Sequence, residues 1–416
     1  MKSDLSGFFE LTVEERLGMV KRLCSLTDEE ADVLRKTGCL SLPTSDRMIE
    51  NVIGTIELPL GIATNFIVNG RDVLVPMAIE EPSVVAAASH AAKLARPEGF
   101  HASSDEPIMI GQIQLIGAHK DAKEKILSSS NRIMEIANSK DSTLIKLGGG
   151  MKGMELRELD TTRGKMLIVH LLVDVRDAMG ANAVNTMCES VAPYVEEITG
   201  ARSVLKILSN LAVHRLARVE VVWKKESIGE DVIEGILDAY AFAQADPFRC
   251  ATHNKGIMNG VDAVLIATGN DFRAVEAGAH AFAAIGGYKP LTHYEKNSRG
   301  DLVGKIELPI VAGVVGGTTN SNPVAKISLK ILGVHHSNEL AQIAACAGLA
   351  NNFAALRAMA KEGIQRGHMK LHANNIAMVA GATHEEVPEI TEAMLAENRI
   401  SVAHASELLQ QIRKSR

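Results

Sequence analysis

The chain has 416 residues, 46% hydrophobic and 23% charged, with a net charge of −6 and a pI near 6.2. That is apolar sequence enough for a large core in about two to three domains. The acidic balance, the absence of a Lys/Arg-rich run and an aromatic content of only 3% exclude a polyanion-binding surface and the stacking platforms of nucleic-acid binders. Cys24, Cys39, Cys188, Cys250 and Cys346 are dispersed, odd in number and form no CxxC pair, which fits a reducing cytosol and argues against a disulfide framework or a structural zinc. Met1-Lys2-Ser3-Asp4 is not followed by an apolar signal segment, and apolar stretches such as Leu308 to Gly317 are about half the roughly 20 residues that span a bilayer. A soluble, cytoplasmic protein with no membrane contact is expected.

The N-terminal arm reads as two short helices, opened by the capping-box pairs Thr12/Glu15 and Thr27/Glu30, with Gly38 placed to end the second. Gly54 to Leu60 (GTIELPL) returns as Gly304 to Ile310 (GKIELPI), which predicts two similar strand-and-turn elements ended by proline. Ser83 to Arg96 is an Ala-rich helix starting after Pro82. From Ile108 to Val222 strands and helices alternate: strands at Ile108–Ile110, Ile113–Ile116, Leu167–Val175 and Arg218–Trp223, helices at Ala122–Ser139 and Ala183–Ile198. Long Ala-rich helices return at Arg273–Ile285 and Glu339–Lys361, and a charged helical tail comes after Gly367. The fold class is therefore α+β: a helix-rich main domain over 1–107 and 218–364, a small inserted α/β domain over 108–217, and a C-terminal helical element over 365–416.

Four segments could carry chemistry. Glu80-Glu81-Pro82-Ser83 sets two carboxylates before an apolar helix, where they either complement the helix dipole or, if desolvated, give a raised carboxyl that donates protons. Thr252-His253-Asn254-Lys255-Gly256 holds a lysine amid mostly uncharged residues, either a solvated side chain or, in a closed site, a group that stabilises an oxyanion. Gly269-Asn270-Asp271 precedes a helix and reads as an N-cap; it also comes after Lys255 at a distance that lets the chain turn back and bring the two together. His368 and His372 share helical spacing but lack the carboxylate of a zinc site, so one catalytic histidine is expected rather than a metal.

Two glycine-rich stretches bear on a cofactor. Gly148-Gly149-Gly150-Met151-Lys152-Gly153 matches GxGxxG in form, but the next residues, Met154 to Leu159, are no more helical than extended, so a Rossmann assignment is rejected. Asp177 to Thr186 (DAMGANAVNT) joins a strand to a helix and offers either a phosphate-binding helix N-terminus or a generic turn.

Together these segments, with Glu50-Asn51-Val52-Ile53-Gly54 and Gly367-His368-Met369, resemble class II 3-hydroxy-3-methylglutaryl-coenzyme A (HMG-CoA) reductase nearly end to end. The resemblance implies the interconversion of HMG-CoA with mevalonate and free coenzyme A by two hydride transfers through mevaldehyde. It implies Glu81, Lys255, Asp271 and His368 as catalytic residues, with Asp271 bonded within the cluster of charges and His368 on a mobile C-terminal flap. Ser83, Arg249 and Asn259 become substrate contacts. Asp141, Asp177, Met179, Gly180, Asn182 and Asn185 become cofactor contacts on the inserted domain, which the resemblance makes ferredoxin-like and not Rossmann. Asp141 facing the adenosine ribose favours NAD(H), with NADP(H) possible and no metal. At least a homodimer, with the active site at the subunit interface, is also implied. Where the family's arm often carries a basic residue after its first Phe, Phe8-Phe9-Glu10 stands here. The competing reading is another NAD-dependent dehydrogenase that uses Gly148–Gly153 as its phosphate loop; it requires a helix beginning near Gly150.

Overall fold

The structure is a computed structural model that describes residues 2–361, 373–383 and 385–415. The two arm helices, Val13–Cys24 and Asp28–Arg35, open as the sequence predicts: both Thr12/Glu15 and Thr27/Glu30 form reciprocal capping boxes. The described residues hold ten strands: β1 (Leu60–Val68), β2 (Arg71–Ala78), β3 (Phe100–Ser104), β4 (Ile108–Ile116), β5 (Gly150–Thr161), β6 (Gly164–Asp174), β7 (Arg202–Ser209), β8 (Leu216–Trp223), β9 (Thr292–Lys296) and β10 (Leu302–Pro309).

They form two sheets, a larger one of order β2-β1-β3-β8-β10-β9 and a smaller antiparallel one of order β5-β6-β4-β7. In the smaller sheet, helices lie between the first and second strands and between the third and fourth. That order and connectivity are the split βαβ, ferredoxin-like arrangement. Its chain enters and leaves at one place, where Asp105 N donates to Leu216 O (2.9 Å) and Leu216 N to Asp105 Oδ2 (3.1 Å). Gly150 opens β5, not a helix, so the competing Rossmann-loop reading fails on its own requirement. The predicted helix over Ala122–Ser139 is divided at Ser129 into Ala122–Ser128 and Ser130–Asn138.

The larger sheet is backed by the helices Val84–Leu94, Pro247–Ala267 and Ser337–Lys361. Trp223 of β8 stacks on Phe353 (ring centroids 3.7 Å apart, 8° between planes) and donates from Nε1 to Ala91 O at 3.1 Å. Ser337–Lys361 corrects the sequence estimate of apolar length: by length and composition it could cross a membrane, yet 67% of its most apolar window is buried inside the protein.

The GTIELPL echo is not a structural repeat. Gly304–Pro309 lies within β10, paired with β8 throughout and with β9 as far as Ile306, and Ile306 and Leu308 are buried, whereas 54–59 is irregular and outside either sheet. The two copies differ because the first finds neither a partner strand nor a core: Ile53 and Ile56 are almost fully exposed (102% and 95%), and Ile49 and Leu58 are exposed beside them. The C-terminal part has its own hydrophobic cluster. Ala373 and Ala377 from the helix over 373–379 pack with Ile390 and Met394 of Val387–Ala396 and with Ala405 and Leu409 of Val402–Ser415.

Candidate active site

Asp246 caps the helix Pro247–Ala267 through Arg249 N (2.8 Å), and Pro247 supplies the ready-made first turn. Gly260 lets this helix lie against Ser337–Lys361: a Cβ there would sit 2.3 Å from Ala347 O. The contact orients the helix so that Lys255 and Asn259, one turn apart, face the segment after β2. Lys255 Nζ donates to Glu81 Oε2 at 2.8 Å, and Asn259 Nδ2 reaches the same oxygen at 3.4 Å. Ser83 holds a left-handed backbone (φ 77°) at the start of Val84–Leu94 and makes no side-chain cap, so its hydroxyl is left for the cleft. Such a backbone costs about 1–3 kcal/mol and tends to persist where a site needs it.

Glu81, Ser83, Arg249, Lys255 and Asn259 line one cleft of about 570 Å3. Burial holds the Arg249 guanidinium below its usual range. A second cleft of about 950 Å3, lined by the arm residues Phe8 and Arg16, by His90 and Lys93 and by Asn375 of the C-terminal unit, opens onto the other side of Glu81.

Within one chain the geometry decides between two pairs of alternatives that the sequence left open. The carboxyl of Glu81 is not desolvated within the chain: its side chain is 38% exposed and that of Lys255 61%. Asp271 does not turn back to Lys255. The helix continues from Lys255 to Ala267, a rise of about 18 Å, before the Gly269-Asn270-Asp271 turn. There Asp271 Oδ1 caps Phe272–Ala283 through Ala274 N (3.2 Å) and pairs with Arg273 (3.2 Å), the local N-cap that the residues themselves suggested. His368, on which the flap role was placed, lies outside the described residues, as does His372.

Asp271 stands instead beside the segment Asp177–Gly180. Asn270 Oδ1 accepts from Gly313 N (2.7 Å), and Gly313 lies so close to Met179 that a Cβ would fall 2.6 Å from Met179 N. Asp177 accepts from Ser337 N (2.9 Å) and His336 Nδ1 (3.2 Å), while its carbonyl takes Val314 N (2.9 Å). Gly180, at φ 101°, begins the 19-residue helix Ala181–Thr199 without a side-chain cap; a Cβ there would lie 2.5 Å from Val175 Cγ1. First-turn N–H groups are thereby left open beside exposed Asn182, a cradle that fits the phosphate of a dinucleotide. Asn185 is partly committed, its Oδ1 accepting from Leu208 N of β7 at 2.8 Å. Asp141 caps Ser142–Lys146 through Leu144 N (2.8 Å), and Arg176 Nη2, donating to Gly148 O (2.8 Å), ties that region to the same strand end.

Sequence reasoning missed a buried network behind Lys255. His253 is 1% exposed; Nε2 contacts Thr292 Oγ1 at 2.6 Å, and its carbonyl accepts from Asn352 Nδ2 (3.1 Å), whose Oδ1 takes Tyr294 OH (2.8 Å). Burial, reinforced by the Arg249 charge, pushes His253 down to about 3, so it stays neutral at physiological pH. It also missed Asp262, pushed up by burial and by the Glu276 carboxylate, and Arg215, buried behind the Asp177–Gly180 turn. Nothing local in the sequence separates these from surface polar residues.

An acid touching an ammonium beside a guanidinium, with an open helix N-terminus on a ferredoxin-like unit, makes the parts of a carbonyl-reducing oxidoreductase outside the Rossmann class. Comparison with known proteins gives that class its member. The family model described as Hydroxymethylglutaryl-coenzyme A reductase matches residues 12–373, and the chain belongs to that family. It is 60% identical over 417 residues to the 3-hydroxy-3-methylglutaryl-coenzyme A reductase of Archaeoglobus fulgidus, covering 99% of this chain and 95% of that one. A probable reductase of Borreliella burgdorferi is 37% identical, over 79% of this chain and 77% of its own. The class II reductase of Streptococcus pneumoniae, solved bound to NADPH in open conformations, superposes with a TM-score of 0.82 at 40% identity, covering 97% of this chain and 100% of that one. The activity is HMG-CoA reductase, an NAD(P)-dependent oxidoreduction.

Proposed function

We propose that the enzyme interconverts HMG-CoA with mevalonate and free coenzyme A through mevaldehyde, on sites shared between two copies of the chain. The observation that carries this reading is the Glu81–Lys255 contact, with Asn259 on the same oxygen. The nicotinamide, when bound, supplies a hydride to each carbonyl in turn. Lys255 stabilises the oxygen on which charge collects, and Glu81 delivers the proton that neutralises it. Arg249 holds the substrate's free carboxylate, with Ser83 beside it. His368 protonates the departing coenzyme A thiolate.

Three features support a shared site. Asp271 and the Asp177–Gly180 turn stand at the opposite end of the lysine helix, Glu81 and Lys255 are half open to solvent, and the apolar run through Ile49, Ile53, Ile56 and Leu58 is bare. A two-fold dimer in which this run is covered brings one chain's Asp271 and cofactor turn to the other's Lys255. Asp177, Met179, Gly180, Asn182 and Asn185 then line the dinucleotide with Asp141 on the ribose. One Asp141 oxygen caps its helix and the other is left to accept the 2′-hydroxyl, which favours NAD(H). NADP(H) remains usable in this reading, as the NADPH-bound relative indicates. The proposed compartment is the cytoplasm.

The test is a spectrophotometric assay of NADH and NADPH oxidation with HMG-CoA. Lys255→Ala abolishes turnover with an unchanged circular dichroism spectrum; normal turnover would overturn the mechanism. His368→Gln impairs reduction of the thioester far more than of mevaldehyde, and equal losses on both remove the thiolate-protonation role.

A further inference from the structure

Arg215 is a buried cation with an unusual set of partners. Its residue is 4% exposed, at the point where the chain leaves the ferredoxin-like unit for β8. Nη1 donates to Ala178 O (3.4 Å) and Met179 O (3.3 Å); Nη2 donates to Ala178 O (3.3 Å) and Ala312 O (2.5 Å). Among the described residues no carboxylate makes a salt bridge with it, although the charges of Asp174 and Asp177 act on it from nearby. Burial pulls the guanidinium down to about 10, which leaves it charged at neutral pH. Burying an ion without a direct counter-ion is costly, and here all of its hydrogen bonding goes to backbone carbonyls of two segments.

Those segments are the cofactor turn and the stretch after β10. The second is held independently to the first, because Val314 N and Val315 N donate to Asp177 O (2.9 and 3.3 Å). It is also held to the turn that carries Asp271, through Gly313 N and Asn270 Oδ1 (2.7 Å). Arg215 closes this knot from inside the protein. It also sets a positive charge behind the open N-terminus of Ala181–Thr199, on the side where an anion gains from it.

We propose that Arg215 is a positioning residue for hydride transfer: it makes the Asp177–Gly180 turn and the Asp271 segment one rigid body, and its charge favours the dinucleotide's phosphates at the helix end. The inference rests on the reading that this turn binds the cofactor.

The test is calorimetry on the full chain with NADH, ADP-ribose and HMG-CoA as separate titrants, together with steady-state kinetics. Arg215→Met raises the Kd of NADH and of ADP-ribose about tenfold or more, from the loss of charge-assisted bonds, and leaves the Kd of HMG-CoA within about twofold. Arg215→Lys recovers much of the ADP-ribose affinity, because the charge remains, but not kcat, because one ammonium cannot span carbonyls from two segments. If Arg215→Met fails to fold, Gly313→Ala disturbs the same knot from the other side, its methyl meeting Met179 N, and carries the same expectation. Unchanged NADH affinity in these variants, or equal losses for NADH and HMG-CoA, overturns the proposal. Asn182→Asp, which places a negative charge in the cradle, separates the two levels. If it too leaves NADH binding intact, the cofactor reading fails; if it alone weakens NADH, only the role of Arg215 fails.

Discussion

The two ends of the Pro247–Ala267 helix are built by opposite means. In the half that carries Lys255 the paired charges are partly open to solvent, Glu81 and Lys255 being 38% and 61% exposed, and Glu81 is held by Lys255 and Asn259. At the far end Arg215 is sealed in, and the turns around Asp177 and Asp271 are braced by backbone bonds from several segments. In the proposed reading, the difference teaches that a single chain prebuilds the half assigned to the long, flexible cofactor. It leaves open the half whose electrostatics become strong only when water is displaced. In the proposed dimer the exposed Glu81–Lys255 pair is half of a site whose other wall is the rigid end of a second copy.

The sharpest way to break this comparison is to disable each end separately. Lys255→Ala and Asp271→Asn should each lower kcat by about 10^3-fold, as loss of a preorganised charge does. If the ends meet across subunits, mixing the two variants after unfolding and refolding restores about a quarter of wild-type activity, because hybrid dimers regain one intact site. No recovery on mixing means that both ends serve the same chain. Next in size, Ile53→Asp combined with Ile56→Asp should convert the dimer to monomer on sedimentation and remove most activity, with an unchanged far-ultraviolet dichroism spectrum because both side chains are exposed within one chain. Retained assembly would show that this apolar run is not the contact. Asp141→Ala should raise relative NADPH use about tenfold, and an unaltered NADPH/NADH ratio removes Asp141 from the cofactor account.

The smallest effects concern the helix between the ends. Asp262 is held protonated by burial and by Glu276, so the folded state is penalised increasingly as pH rises above the ordinary carboxyl range. Asp262→Asn should therefore raise Tm by about 2 °C or more at pH 8 and by less at pH 5, read by calorimetry. His253 acts in the opposite direction. Its folded value near 3 lies below the ordinary histidine value, so its contribution is fully present above about pH 6.5 and is lost as pH falls from there toward 3. His253→Gln should flatten that acid limb, and an unchanged limb would assign it elsewhere.

Local signals in the sequence were legible in proportion to how local their cause is. The capping boxes at Thr12 and Thr27, the helix after Pro82 and the rejection of Gly148–Gly153 all depend on neighbouring residues, and they match the structure. The GTIELPL echo misled because identical local preference met different partners: paired strands at Gly304–Pro309, bare solvent at Gly54–Pro59. Asp271 was legible as a cap, but its distance from Lys255 depended on whether the intervening residues stay helical, and they do. Arg215 and His253 carry no local mark, since their meaning lies in carbonyls and hydroxyls contributed by residues far along the chain.

The single tryptophan, stacked on Phe353 and bonded to Ala91, gives the molecule an internal gauge of one region only. Its emission will track the melting of the larger sheet against the Ser337–Lys361 helix. It will be silent to unravelling of the C-terminal helices, whose apolar cluster is separate and contains no aromatic ring. Fluorescence and far-ultraviolet dichroism recorded together during denaturation will therefore part company wherever the tail loosens first, with no label attached.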